Sequence, residues 1–231
     1  MKAGTSNKST RDTWVEKTLK SLPAGLKILD AGAGQQVYKQ FCTHLQYVSQ
    51  DFARYDGKGN GKGLQAGKWN CSDIDILCDI ADIPEPDTSF DVVLCTEVFE
   101  HLPAPILVIK EFNRLLRSGG LLILTAPFCS LTHFAPYHYY SGYSRYFYQE
   151  TLPNNGFLIL ELEANGNFFE YLAQETNRIQ TISKRYAGDR PNILERFAMG
   201  FVIRMLERFS KRDKGSDELL CFGFHVLAKK I

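Results

Sequence analysis

No stretch of this chain approaches the roughly 18 consecutive apolar residues that a membrane span requires, and the segment up to Leu22 is polar and mixed in charge, without an apolar leader-like run. Neither membrane insertion nor secretion is expected. An excess of one charge is missing too. Lys and Arg number 27 against 26 Asp and Glu, and a formal net charge of +1 gives no overall field to draw in a polyanion. Nucleic acid is therefore not the expected partner. The six cysteines (Cys42, Cys71, Cys78, Cys95, Cys129 and Cys221) include no C-x-x-C pair, which argues against a zinc ribbon and against a disulfide framework. Reduced thiols in a cytoplasmic protein are the expectation. Internal repeats and low-complexity tracts are absent.

What is present is an ordinary globular composition, 44% hydrophobic and 23% charged over 231 residues, enough for one α/β domain spanning 1–231. Residues 11–22 carry Trp14, Val15, Leu19 and Leu22 at helical spacing before Pro23 and Gly25. Strand-like runs follow at 27–30, 46–50, 75–79, 91–96 and 121–125, with helical segments after several of them; the helix at 105–116 ends at Ser118-Gly119-Gly120. Such alternation predicts a Rossmann-like, mostly parallel sheet in three α/β/α layers. Two further strand-like runs, 157–162 and 221–228, flank a helical insertion at 166–215 and are expected to pair antiparallel at one edge. Two segments break the alternation. Residues 54–70 hold five glycines and three lysines, which reads as a long solvated loop. Residues 128–150 follow a strand with two histidines and a dense set of tyrosines and phenylalanines.

The most informative run is Ile28-Leu29-Asp30-Ala31-Gly32-Ala33-Gly34, a buried strand leading into a glycine turn. A side chain at Gly32 or Gly34 would fill the space a ligand needs against the backbone. Asp30 stands just before that turn, where a carboxylate would repel a dinucleotide's pyrophosphate but suits a ligand bearing an ammonium group. The third glycine of the dinucleotide fingerprint is replaced by Val37. Asp51, seventeen residues after Gly34, can accept two hydrogen bonds from ribose hydroxyls at the end of the second strand. Asp79 can receive an adenine amino group while Ile80 packs on the ring. Three strand ends in one crevice is where open parallel sheets bind ligands.

Taken together, Leu29 to Gly34, Asp51, Cys78 to Pro84, Ser89 to Val93, Glu97-Val98-Phe99-Glu100-His101-Leu102 and Leu115 to Gly120 resemble the class I S-adenosylmethionine (SAM) dependent methyltransferases, in particular the type 11 small-molecule group. The resemblance covers the donor-binding core, residues 28–126. It implies a seven-stranded sheet whose last strand is antiparallel, SAM as methyl donor and S-adenosylhomocysteine as product. It places Asp30, Ala31, Gly32 and Gly34 at the methionyl end, Asp51 at the ribose, and Phe52, Asp79 and Ile80 around the adenine, with Glu97 facing SAM. The Gly-rich loop departs from the family pattern.

On the acceptor side, His101, His133 and His138 are the candidate catalytic bases, with Tyr137, Tyr140 and Arg145 lining a pocket suited to a small organic or sugar-like acceptor. The bland alternative is an aromatic lid packed on itself. No metal is expected, although Glu97, Glu100 and His101 resemble the E-x-x-E-H element that binds a divalent ion in ubiquinone-pathway and small-RNA 2′-O-methyltransferases. The leading expectation is O- or N-methylation of a sugar, glycan precursor or secondary metabolite. The alternatives are metal-dependent RNA 2′-O-methylation and a non-catalytic SAM-binding scaffold. The helix expected at 192–212 carries Ile193, Phe197, Phe201, Met205 and Phe209 at spacings of four. It is expected to pack on its own domain, with a homodimer or an anionic membrane surface as the alternatives.

Overall fold

Strand β1 (Lys27–Ala31) is buried from Ile28 onward, and β4 (Phe90–Thr96) is buried along most of its length, which is why both read as continuous apolar runs. The structure, a computed structural model, describes residues 3–231. The other strands are β2 (Gln46–Asp51), β3 (Ile76–Leu77), β5 (Leu116–Pro127), β6 (Phe157–Asn165) and β7 (Gly223–Lys230), in one sheet of order β3-β2-β1-β4-β5-β7-β6. The pairs β1/β2, β2/β3, β1/β4 and β4/β5 are parallel, whereas β7 runs antiparallel to β5 from Leu121↔Lys229 to Pro127↔Gly223. The chain leaves β1 toward one edge and returns as β4 on the other side. That makes the carboxyl ends of β1 and β4 the switch point, where a crevice opens.

The chain divides into two compact units. One comprises Asp12–Glu163 with Gly223–Ile231. There, helix α1 (Asn7–Lys20) supplies Val15, Leu19 and the ring of Trp14, which pack with Ile28, Val92, Leu94 and Ile123. Those strand positions share one face by the two-residue period of a strand. Asp30 lies on that face as well, which explains its burial. Helix α2 (Pro105–Leu115) joins β4 to β5, starts on Pro105, and buries Val108, Ile109, Phe112 and Leu115. Helix α3 (Arg145–Asn154) precedes β6.

Four details go beyond the sequence reading or differ from it. Among the described residues no α-helix follows the glycine turn; only a short 3₁₀ turn, Lys39–Phe41, stands between β1 and β2, and Gln36 takes a positive φ of 53° that interrupts helical propagation. The donor turn is thus no helix N-terminus, which removes the feature that favours bound phosphate. Strand β3 has two residues, so Asp79 lies beyond its end. Ser118-Gly119-Gly120 does not stop the helix but bulges β5, where Phe90 pairs with Leu116 and Val92 with Leu121. The fourth detail lies in the second unit.

That unit comprises the chain up to Arg11 with Ala164–Phe222. Helix α4 (Phe168–Tyr186) is capped by the Asn167 side chain, and α5 (Ile193–Ser210) opens on a capping box between Asn192 and Glu195. Their shared core is Ala3, Ala173, Ile203 and Leu206, with Phe169 and Leu172 packed on it. The stripe of Ile193, Phe197 and Phe201, expected to pack inward, instead faces outward, 69 to 73% exposed. Small and flexible residues do the packing: Ala173 from α4 admits Ile203 and Leu206 from the opposite side of α5. Among the described residues no helix is long and apolar enough to cross a membrane.

Candidate active site

The glycine turn is tied to β2 by backbone bonds from Gly32 N (2.9 Å) and Ala33 N (2.8 Å) to the Gln50 carbonyl, and Gly32 N also reaches Gln50 Oε1 at 3.2 Å. Gly32 has φ +73°, and a Cβ there would stand 2.5 Å from Val98 Cγ2. Gly34 has φ +52°, and a Cβ there would stand 2.7 Å from the Trp69 ring. Asp51, 7% exposed, accepts from Gly34 N at 2.9 Å through Oδ2 and from Ala53 N at 2.7 Å through Oδ1. Its carboxylate therefore braces the turn on which a nucleoside would rest. Asp79 is exposed and accepts from Ala81 N at 2.9 Å, while Ile80 is buried beside it.

Asp30 is 2% exposed and accepts from the Tyr47 hydroxyl at 2.5 Å. Burial pushes its pKa up to about 7, the Tyr47 bond opposes this, and the nearby charge of Asp51 adds to the rise. A buried carboxylate whose ionisation is opposed by a neighbouring one is a place where a cation is welcome. Because the folded-state pKa lies above the ordinary 3.8, the stability of the ligand-free protein falls as pH rises from about 4 through about 7. Asp30→Asn, which keeps an acceptor for Tyr47 and removes the charge, is expected to raise the melting temperature by about 5 °C at pH 8 and by less at pH 5. Equal shifts at both pH values would show that Asp30 does not titrate in this window.

The Gly-rich loop is mostly exposed, as expected, but it is not free chain. Leu64 N donates to the Thr132 carbonyl at 2.9 Å, Phe134 N donates to Leu64 O at 3.0 Å, and Asn60 N donates to Ala135 O at 3.0 Å. Tyr55, Trp69 and Phe134 form one aromatic group, with centroid separations of 4.4 to 5.8 Å. Glycines at 57, 59 and 63 are required there because a Cβ would stand 2.0 to 2.6 Å from carbonyl oxygens of the loop or of the 132–135 segment. The loop thus carries Trp69 onto Gly34 and Phe134 onto His101, whose ring it stacks at 5.1 Å. Phe52 meets Tyr137 edge-on at 5.0 Å.

His101 and His133 are joined by Glu100. Their ligand-capable atoms lie within 4.8 Å of one another, and Glu100 Oε1 stands 3.7 Å from His101 Nε2 and 3.6 Å from His133 Nε2. His101 Nδ1 bonds the Tyr137 carbonyl and His133 Nδ1 the Leu131 carbonyl at 2.9 Å. A carbonyl only accepts, so each Nδ1 carries the proton; neutral His101 turns the Nε2 lone pair toward Glu100, whereas the charged form of His133 presents Nε2–H to it. Glu100 is 1% exposed; its Oε2 and His101 Nε2 are buried without a hydrogen-bond partner. Burial raises the Glu100 pKa, with partial relief from His133. Burial, then the neighbouring His133, lowers His101 to about 3, so its ring is neutral. For His133 burial works against the charge, but Glu100 and the Leu131 carbonyl outweigh it and raise the pKa.

His138 flanks this group, 4.9 Å from the His133 ring, with Nε2 3.2 Å from Ser130 Oγ; burial and His133 lower its pKa. Tyr139 N and Tyr140 N both donate to the Glu100 carbonyl, and Tyr140 also lines an open cavity of about 610 Å³ with Ile106, Leu107, Tyr143 and Phe147. Glu97, at φ +53°, is held by Thr125 Oγ1 at 3.0 Å and stands outside the converging trio. Arg145 lies over the Phe224 ring at 5.6 Å. Sequence reasoning passed over Gln50, Tyr47 and Trp69, and it did not pair His133 with Glu100. The tryptophan at the end of a glycine-rich loop was the one visible signal.

A sheet in this order, with a glycine turn at its switch point and carboxylates beyond neighbouring strands, defines a class: open α/β folds that hold a nucleoside at the strand ends. Residues 29–124 match the family model of a methyltransferase domain. Over this core, less than half of the chain, it is similar to the methyltransferase domain family. A ubiquinone biosynthesis O-methyltransferase of Leptothrix cholodnii is 28% identical over 118 residues, 50% of this chain and 49% of that protein. The chain thus spans about half the length of the curated relatives it matches. Among solved structures, phosphoethanolamine N-methyltransferase 2 of Haemonchus contortus with SAM bound is similar at TM-score 0.52 and 16% identity, covering 96% of this chain and 52% of that one. The [4+2]-cyclase SpnF is similar at 0.56 and 16%, covering 95% and 80%. These likenesses show the fold.

Proposed function

We propose that the chain transfers the methyl group of SAM to a hydroxyl oxygen of a small organic acceptor, and that Glu100, His101 and His133 hold a divalent cation at the acceptor end. The observation that carries this is the trio itself, a buried carboxylate and two imidazoles whose Nε2 atoms converge on it, beside Phe134, which meets the Trp69 ring that stands on Gly34. The family resemblance and the ubiquinone-pathway relative support an oxygen acceptor of modest size.

The donor residues fit SAM. Gly32 and Gly34 admit Val98 and Trp69 against the turn, Asp51 offers a carboxylate to ribose hydroxyls, and the Asp30 and Asp51 pair favours a ligand without phosphate and with positive charge. Bound SAM supplies an electrophilic methyl group, whose bond to sulfur breaks as the bond to the acceptor oxygen forms, leaving the electron pair on a neutral thioether.

The trio fits a transition-metal ion of the Mn²⁺, Co²⁺ or Zn²⁺ kind, which takes imidazole nitrogen with carboxylate oxygen. Metal bonds of about 2.0 to 2.2 Å put neighbouring ligand atoms roughly 3 to 3.5 Å apart, close to the 3.6 and 3.7 Å seen. A cation there would satisfy the orphaned His101 Nε2 and would lower the pKa of a hydroxyl coordinated to it. The carbonyls of Tyr137 and Leu131 fix both rings in the ligating tautomer. With those two Nε2 atoms committed, His138 is the neutral imidazole left to receive the acceptor's proton. Tyr140 and the cavity it lines offer apolar walls for the acceptor's carbon skeleton.

The test is transfer of labelled methyl from SAM to a metabolite extract and, separately, to RNA. Label is expected in the small-molecule fraction, falling by about a hundredfold on exhaustive chelation and returning with Mn²⁺ or Co²⁺. Label on RNA would favour 2′-O-methylation. SAM binding by calorimetry with no acceptor labelled in either pool would favour a non-catalytic scaffold.

A further inference from the structure

We infer that α5, with the end of α4 that leads into it, docks on an anionic membrane surface. Ile193, Leu194, Phe197 and Phe201 are 69 to 75% exposed. They occupy one side of α5 because steps of three and four residues return to the same face. Arg204 and Arg208 continue that face toward the C-terminus and are exposed, as are Lys184, Arg190 and Arg196 around its beginning. At the end of α4, Tyr186 is 63% exposed and Ile179 is 44% exposed. The opposite side of α5 is already used by Ile203 and Leu206 in the core with α4, so these apolar side chains have no inward role.

The occupant is argued from charge. The acidic residues of α5 are engaged elsewhere: Glu195 closes the capping box with Asn192, and Glu207 pairs with Lys211 at 2.7 Å. The outward face of α5 therefore presents large apolar groups followed by arginines, and the exposed Asp189 before it, turned onto the Arg190 backbone, is outnumbered by Lys184, Arg185, Arg190 and Arg196. A surface that accepts aromatic and aliphatic side chains and carries negative charge at its boundary complements this pattern, and the headgroup layer of an anionic bilayer has both properties. The face lies wholly within the smaller compact unit, and the inference goes beyond methyl transfer.

The experiment is co-sedimentation of the full chain with phosphatidylcholine vesicles, with and without phosphatidylglycerol, in the absence of SAM and acceptor. Binding is expected only with the anionic lipid, and weakening with added salt. Phe197→Ser with Phe201→Ser is expected to lower vesicle partitioning by more than about tenfold. Arg204→Glu with Arg208→Glu is expected to lower it at least about thirtyfold, from roughly fivefold per basic residue at an anionic leaflet. Both pairs are exposed, so an unchanged melting curve checks the fold. Failure to bind phosphatidylglycerol vesicles would overturn the inference. So would light scattering that shows a dimer dissociated by the phenylalanine substitutions, since the face would then be covered by a second copy. Methylation assays stand apart from either readout, so loss of one reading leaves the other intact.

Discussion

Glu100→Gln is expected to lower methyl transfer by about a hundred- to ten-thousandfold and to leave SAM affinity unchanged. The amide has the shape of the carboxylate, and its NH₂ can donate to the unprotonated Nε2 of His133 or His101, so the buried site loses its charge and gains a partner. The fold should be no less stable for that, because burial already raises the Glu100 pKa. What disappears is the negative oxygen that two inward lone pairs require if a cation is to sit among them. Co²⁺ offers a readout independent of turnover. Its visible absorption on binding the wild-type chain is expected to be lost in Glu100→Gln and in His133→Ala. It should be retained in His138→Ala, which has no place in the trio and is expected to lower transfer alone. A Glu100→Gln chain that methylates at the wild-type rate would end the role assigned to this carboxylate. A chain that binds Co²⁺ as before would end the metal site while leaving acid and base chemistry open.

The parts of this site that follow one another along the chain were legible in the sequence, and the parts assembled across it were not. Ile28 to Gly34 declares a buried strand and a close-approach turn through local chemistry alone, and Asp51 follows from the length of one strand-turn-strand return. Glu100 and His133 are thirty-three residues apart in different loops, and no periodicity links them. They meet because Tyr139 and Tyr140 bond the Glu100 carbonyl and Tyr137 caps His101. The E-x-x-E-H spacing suggested Glu97 as a ligand, but Glu97 takes a left-handed backbone conformation and is held by Thr125. Glycine content marked 54–70 as a loop, yet composition cannot say that those glycines serve close approach to a second loop. Helix α5 shows the same limit from the other side. Its apolar period was plain in sequence, but period alone does not say which of two stripes is buried, and the narrower one of Ile203 and Leu206 won because α4 offers Ala173 there.

The remaining large effect concerns the donor. Asp51→Ala is expected to weaken SAM and S-adenosylhomocysteine alike, by about a hundred- to ten-thousandfold, if the carboxylate makes two charged hydrogen bonds to the ribose worth about 1.5 to 3 kcal/mol each. Parallel loss matters because the two ligands share the ribose and differ in the sulfonium charge, so an electrostatic role for Asp51 toward the methyl-bearing sulfur would weaken SAM more. Asp51 also accepts from Gly34 N and Ala53 N, so alanine leaves two backbone donors unpaired and stability should fall by about 1 to 3 kcal/mol for each that water does not reach. Asp51→Asn separates the two effects. One amide oxygen still takes one of those N–H groups, so the turn is largely kept, while the NH₂ cannot accept from the second ribose hydroxyl. Calorimetry on this variant is therefore expected to show weakened binding on a chain that melts closer to the wild-type temperature than Asp51→Ala does. Full SAM affinity in a folded Asp51→Asn would mean that the carboxylate braces the turn and never meets the ribose.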